Sequence, residues 1–390
     1  MGLSLGVVGL GSFGSEFVRL FAHHPWVDRL ALCDREPDRV AEAARMIRAR
    51  PAVPLRDSDL YASLDDICAS DLDALAIITQ PWLHAPQAVQ AMEAGKHVYS
   101  AVPVIWVPDG NEILDWCDRV IETCRRTGMR YMLGETTYFH PQAMYCRRRA
   151  AEGAFGDFVY AEGEYLHDVD NPWSNLREVW RAREASTAGR EWTEARSQYT
   201  ARGLVDGPMH YPTHSVSGPM SVMRAHATKV WALPYYNRSG DGFFGSEPSN
   251  ETALFTMSNG ATMRICEYRE IGHRGRETFR VYGTQGSFEN NHWCNKTGDT
   301  ALTYEEMRDP LPPEVMEAYL ATLGPEFYGG HEGSHAYLVH EFVEAAARDR
   351  RPAINAWEAA RYMAAGVTAH QSALRGGEVL EVPDWGEAPE

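Results

Sequence analysis

The chain has 390 residues, enough for two domains, and at 44% hydrophobic and 23% charged it has the composition of a folded protein with a large core. Its 54 acidic residues exceed its 37 basic ones, and the net charge of −17 disfavours nucleic acid or an anionic membrane surface as partner. No run approaches the roughly 20 apolar residues that span a bilayer, and the seven scattered cysteines form no C-x-x-C pair, so reduced thiols and a cytoplasmic location are expected.

The first third alternates short apolar runs with helical patterns. Strands are expected at Leu5–Leu10, Arg29–Cys33, Leu75–Thr79, His97–Ser100 and Arg130–Leu133. Helices are expected between them at Ser15–Ala22, Pro37–Arg48, Ala85–Ala94 and Asn111–Thr127. Apolar strands separated by helices of this length predict βαβ units and a doubly wound parallel sheet covered on both faces. After Gly134 the period changes. A helix over Pro141–Glu152 precedes strand-like alternation at Phe158–Leu166, Lys229–Tyr236, Thr252–Met257, Thr262–Tyr268 and Thr278–Tyr282. Gly333–Arg348 and Ala356–Leu374 read as helices, Val379–Val382 as a last strand, and residues 174–201 as a charged helical insertion. The expected architecture is α/β: a parallel-sheet domain over 1–134, then an α+β domain over 135–390 with a large open, mostly antiparallel sheet.

The segment Gly9-Leu10-Gly11-Ser12-Phe13-Gly14 is G-x-G-x-x-G, placed between the first strand and the first helix. Gly9 allows the tight turn, Gly11 lets the backbone approach a pyrophosphate, and Gly14 lets helix and strand pack closely. Asp34 ends the second strand, where a carboxylate can bind both ribose hydroxyls of a dinucleotide in a Rossmann fold. That charge repels a 2′-phosphate and favours NAD over NADP, although the neighbouring Arg35 can accommodate the extra phosphate.

With these features the chain resembles the Gfo/Idh/MocA family of nicotinamide-dependent sugar oxidoreductases. The resemblance is carried further by Thr79-Gln80-Pro81-Trp82-Leu83-His84, by Ala94-Gly95-Lys96-His97-Val98, by Glu135 and by His214. It implies cofactor contacts from Gly9, Gly11, Ser12, Phe13, Gly14, Asp34, Arg35, Thr79, Gln80, His84 and Pro103. The family's Glu-Lys-Pro, whose Lys positions and deprotonates the substrate hydroxyl, is here Ala101-Val102-Pro103, and valine cannot exchange a proton. His210 stands where the family usually has Asp. Within the superfamily, the NAD-dependent glycosidases of glycoside hydrolase family 109 also lack this Lys. Tyr211-Pro212-Thr213-His214 and Tyr165-Leu166-His167-Asp168 are similar to motifs of that branch, although Ala101 replaces its Glu.

The resemblance implies an enzyme acting on a small carbohydrate or glycoside. Two outcomes remain open: hydrolysis through transient oxidation at C3, or net oxidation of a sugar or polyol by an NAD(P)-dependent dehydrogenase with His or Tyr replacing Lys. Proton-transfer candidates are Tyr211, His214, Tyr165 and Glu135. Candidate sugar contacts are His97, His167, His210, Trp173, His331 and His335. The pairs His210/His214 and His331/His335 have the i, i+4 spacing that can bind zinc on a helix, but Pro212 interrupts the first, and no metal is expected. An open sheet face predicts a homodimer or homotetramer through the second domain.

Overall fold

The computed structural model describes residues 2–49, 53–171, 176–239 and 242–389; Trp173 and the first two positions of the expected insertion lie outside them. The chain forms two compact units, neither continuous in sequence. One comprises residues 1–105, 115–136 and 310–359, the other residues 106–114, 137–309 and 360–390.

The first unit holds β1 (Leu3–Val8), β2 (Val27–Cys33), β3 (Leu60–Tyr61), β4 (Ala74–Ile77), β5 (His97–Ser100) and β6 (Tyr131–Leu133). They form one sheet in the order β3-β2-β1-β4-β5-β6, parallel throughout. The order reverses between β1 and β4, and ligands of such sheets enter at the carboxyl ends of the strands there. β4 is buried along its whole length, as a sheet covered on both faces requires. The helix Ser12–His23 turns Phe17, Val18, Leu20 and Phe21 to the core. The helices Pro313–Leu323 and His335–Ala347 return to this unit, and both pack on Ser12–His23. Pro313–Leu323 lies outside the expected elements. Prolines at 310, 312 and 313 mask its start, yet Pro313 is compatible with a first helical position because the missing N–H has no intrahelical acceptor there.

The second unit is built on β7 (Phe158–Leu166), β8 (Ala227–Tyr235), β9 (Asn250–Met257), β10 (Thr262–Tyr268), β11 (Arg276–Gly283), β12 (Gly286–Glu289), β13 (His292–Asn295), β14 (Gly298–Ala301) and β15 (Leu380–Glu381). The sheet order is β14-β13-β12-β11-β7-β10-β9-β8-β15, and among the described residues β7–β10 alone of its pairings is parallel. β12–β14 were not expected from sequence because four residues each are too few for a periodic signal. Their first hairpin turns at Asn290 and Asn291 with φ of 49° and 60°, a left-handed pair that asparagine tolerates well.

One face of this sheet is covered by the helix Thr213–Met223, which is buried at every position except Ser221. Gly163 lets it approach: a Cβ there would lie 1.8 Å from Ser215 O. The opposite face carries exposed Trp231, Leu233 and Tyr235 from β8 and Leu254 from β9. The charged segment forms two helices, Leu176–Ala185 and Thr187–Ala201, and Ser186 Oγ caps the second by accepting from Gly189 N at 3.1 Å. Among the described residues no helix is long and apolar enough to cross a membrane.

Candidate functional site

In the first unit, the turn after β1 is shaped to receive a dinucleotide phosphate. Gly9 has φ of 95°, and a Cβ on it would lie 2.3 Å from Ile78 O, so only glycine fits. Gly14 is equally constrained, since its Cβ would meet Gly9 O at 2.0 Å. Gly11 differs: nothing lies within 4 Å of a Cβ built there. That open space lies at the N-cap of Ser12–His23, where no side chain caps the helix and its first N–H groups are available to an anion. Asp34 braces the turn, with Oδ2 accepting from Leu10 N at 2.7 Å and Oδ1 from Glu36 N at 2.9 Å. Thr79 Oγ1 donates to Gln87 Oε1 at 2.6 Å. The His84 ring spans two carbonyls, with Nδ1 2.9 Å from Pro103 O and Nε2 3.3 Å from Thr79 O, and so ties the ends of β4 and β5 together. These residues fit an NAD cofactor: a glycine cradle without side chains, a helix N-terminus, and a carboxylate at the end of β2.

In the second unit, β7 and the start of Thr213–Met223 bring the predicted proton-transfer groups together. The ring centroids of Tyr165 and His214 are 4.9 Å apart, and those of Tyr211 and His214 are 5.5 Å apart. His167 Nδ1 bonds the Tyr165 hydroxyl. Tyr165 is buried, and burial followed by the charge of Glu277 raises its phenol well above the ordinary value. Tyr165 pairs in register with Glu267 of β10 on one side and Glu277 of β11 on the other. Burial pushes Glu267 up to about 7, opposed by Arg269 and by the Ser215 hydroxyl. Trp106 adds a further ring 5.9 Å from Tyr211, and Trp180 of Leu176–Ala185 lies 4.8 Å from Trp106. One turn further along that helix, Arg183 is held below its ordinary value by burial, an effect that the Tyr211 and Tyr165 hydroxyls oppose. The arrangement is a phenol–imidazole cluster edged by carboxylates and a guanidinium, able to hold and pass protons.

Comparison with known proteins agrees with the reading of the glycine turn in the first unit. Residues 3–135 match GFO_IDH_MocA, the oxidoreductase family with an NAD-binding Rossmann fold. This segment is a Gfo/Idh/MocA NAD-binding domain. Along its length the chain is 25% identical to a glycosyl hydrolase family 109 protein of Stenotrophomonas maltophilia, over 98% of this chain and 88% of the relative. It is 28% identical to an alpha-N-acetylgalactosaminidase of Shewanella oneidensis, over 56% of this chain but only 43% of that protein. Levoglucosan dehydrogenase, solved with NADH and levoglucosan, shares the fold with a TM-score of 0.72 and 18% identity, over 98% of this chain and 100% of that one. The chain is an NAD-dependent enzyme.

Within the first unit several expected sugar contacts are placed elsewhere. His97 begins β5, at the amino-terminal edge of the sheet, away from the carboxyl ends where the crevice opens, and its Nδ1 accepts from Arg130 N at 3.0 Å. His335 is a packing residue, with ring centroids 4.9 Å from Phe17 and 5.5 Å from Phe13. His331 lies 6.4 Å from Phe13, beside the glycine turn. Glu135 follows β6, is fully buried and raises the Tyr99 phenol after burial itself. Arg35 is exposed beside Asp34.

In the second unit His210 is fully buried and is a structural group instead of a sugar contact. Its Nδ1 meets Asp206 Oδ1 at 3.1 Å, and its ring stacks edge-on against His370 at 4.4 Å. His370 Nδ1 in turn lies 2.7 Å from Glu251 Oε1, whose other oxygen accepts from Met209 N at 2.9 Å. This clamp holds the strand of chain that delivers Tyr211. His210 and His214 do not share a helix: the first ends a 3₁₀ turn, Pro208–His210, and the second follows Pro212 into a new helix. Among the described residues no group of three or more His, Cys, Asp or Glu is placed to hold a metal. Sequence reasoning missed Glu267, Arg269, Glu277, Arg183, Glu251 and His370. The available signal was a charged residue at an inward position of a strand, as Glu267 is between inward Ile265 and buried Arg269.

Proposed function

We propose that this chain is a glycosidase of the Gfo/Idh/MocA type, which cleaves a small glycoside through transient oxidation at C3, elimination, water addition and re-reduction, with NAD retained through turnover. The observation that carries the reading is the contiguous Tyr211–His214–Tyr165–His167 cluster, in a chain where Val102 replaces the Lys that a simple dehydrogenase of the family uses. NAD, when bound, accepts a hydride from the sugar and later returns it. Gly9, Gly11, Ser12, Phe13, Gly14, Asp34, Arg35, Thr79, Gln80, His84 and Pro103 would hold it.

The protein's own part is proton handling. Departure of a hydroxyl proton at C3, removal of the acidified C2 proton, donation to the leaving oxygen and activation of water are four proton transfers, more than one lysine can carry. Tyr211 and His214 are assigned the hydroxyl proton, Tyr165 donates to the departing oxygen, and Glu135 is a further acid–base candidate. The relatives named as glycosyl hydrolase family 109 proteins support the substrate class. The apolar patch at one end of the outer face of the nine-stranded sheet supports assembly with a second copy, as a homodimer or homotetramer. The seven cysteines, all free thiols, support a reducing cytoplasmic location.

The test begins with purified protein, denatured to release and quantify bound NAD. Native protein is then given a panel of aryl glycosides. Release of reducing sugar without accumulation of NADH is the expected result. Steady NADH production from free sugars or polyols would establish a dehydrogenase and refute the glycosidase cycle.

A further inference from the structure

Tyr165 stands between two carboxyl groups that are not equivalent. Glu267 is fully buried, and its oxygens accept from Ser215 Oγ and, at 2.6 Å, from Arg269 Nη2. Its charge is answered from two sides. Glu277, on the other side of Tyr165 in the sheet register, has a half-buried environment and a different neighbour. The buried His140 places Nε2 3.6 Å from Glu277 Oε2. His140 is itself fixed in place: its N–H bonds Thr137 O at 3.2 Å, and its carbonyl accepts from Met144 N at 3.0 Å at the start of Pro141–Ala151. Gln142 and Asn291 join this pair around a cavity with room for about one water molecule.

We propose that Glu277, seated by His140, is a positioning residue that commits Tyr165 to proton donation. The inference rests on the reading of Tyr165 as a proton-transfer group. A phenolate at Tyr165 would place a second negative charge beside the Glu277 carboxylate, so the phenol keeps its proton until a substrate oxygen of comparable basicity takes it. Burial is the largest influence holding the phenol up, and Glu277 is the largest charge acting in the same direction. Arg269, whose guanidinium carbon lies 4.5 Å over the ring, opposes it. The remaining groups that face Tyr165 are Tyr211 and His214 from the helix side, His167 at the hydroxyl, Glu267 on β10 and Arg183 on Leu176–Ala185. Of the two carboxylates, Glu277 has the larger effect on the phenol.

The deciding experiment places 3-fluorotyrosine, close to tyrosine in size but more acidic, at position 165 and follows its ionisation by ¹⁹F NMR with and without Glu277→Gln. Removal of the carboxylate charge should lower the midpoint by about one unit or more. A midpoint that stays put, or a phenol that resists ionisation equally in both proteins, overturns the proposal. This readout needs no substrate, so it stands or falls separately from the glycosidase reading. In turnover, Glu277→Gln should move the alkaline limb of the kcat profile to lower pH, because Tyr165 loses its proton earlier, and Glu277→Asp should return the limb most of the way. An alkaline limb that stays put in Glu277→Gln, or that moves equally in the two variants, overturns the positioning role. Should Glu277→Gln fail to fold, His140→Asn keeps the charge but loosens its seat. It should move the midpoint and the alkaline limb part of the way, and no effect on either overturns the role of His140.

Discussion

His370 shows how one buried residue can organise a site that it does not touch. Burial works against its charged form, but the Glu251 carboxylate and the Val205 carbonyl outweigh that and push it up to about 9. A folded-state value above the ordinary one of about 6.5 means that the ion pair contributes fully below about pH 6.5 and is lost as pH rises through about 9. His370→Ala should therefore cost about 3–5 kcal/mol near pH 6, with an unpaired Glu251 left buried, and distinctly less near pH 10. Urea denaturation at the two pH values measures this, and equal losses would mean a neutral imidazole in the folded state. At the glycine turn Gly14 and Gly11 predict different outcomes. Gly14→Ala drives a Cβ into Gly9 O at 2.0 Å and should disturb folding itself, whereas Gly11→Ala meets nothing within 4 Å. Gly11→Ala should thus fold with an unchanged melting temperature yet bind NADH about tenfold more weakly, a loss of about 1.4 kcal/mol, readable by fluorescence titration. Legibility differed likewise among residues. Gly9, Gly11, Gly14 and Asp34 were readable because each satisfies a local backbone demand within one βαβ unit. The histidines were not: His97, His210, His331 and His335 share a side chain with many uses, and only burial and neighbours separate packing from chemistry.

At the scale of elements, the helix Thr213–Met223 is positioned by absent side chains. Gly163 on β7 lets the helix approach that strand, Gly218 on the helix makes room for Phe279 of β11, and His214 comes to lie against Tyr165. Gly163→Ala would set a Cβ 1.8 Å from Ser215 O. Because backbone cannot yield as a side-chain tip does, the helix must shift, at a cost of about 1–3 kcal/mol or more. The expected signature is a lower melting temperature together with a kcat that falls more than NAD affinity does; intact kcat would show that the helix position is not critical. Strands of seven to nine residues, such as β7, β8 and β10, were legible through their alternation. β15 lies inside the expected Val379–Val382, but β3, β12, β13 and β14 were not legible, since runs this short carry no period and depend on a neighbouring strand to pair with. The paired Glu267–Tyr165–Glu277 row is likewise a property of register, and register between strands a hundred residues apart is set by the folded sheet.

At the scale of the whole molecule, the outer face of the nine-stranded sheet combines two kinds of surface. Trp231, Leu233, Tyr235 and Leu254 are 37–50% exposed at one end. Across the middle, Glu162 accepts from Tyr160 and from the guanidinium groups of Arg264 and Arg280, while Arg280 also bonds Glu289 at 2.8 Å. An apolar patch beside a hydrogen-bonded charge network matches the composition of a protein interface. In the proposed homo-oligomer, the double substitution Trp231→Glu with Leu233→Glu should lower the mass seen by light scattering to that of a folded protomer; an unchanged mass would refute an interface on this face. What the sequence determined by itself was local: the alternation of βα units, the glycine turn with its acidic partner, and a valine at position 102 that cannot exchange a proton. Only tertiary structure decided that residues 310–359 return to the first unit, that His210 is walled in beside His370, and that Glu277 stands against Tyr165. The physical reason is range: turn geometry and hydrophobic period act over a few residues, whereas burial, strand register and charge pairing depend on which distant segments the fold brings into contact.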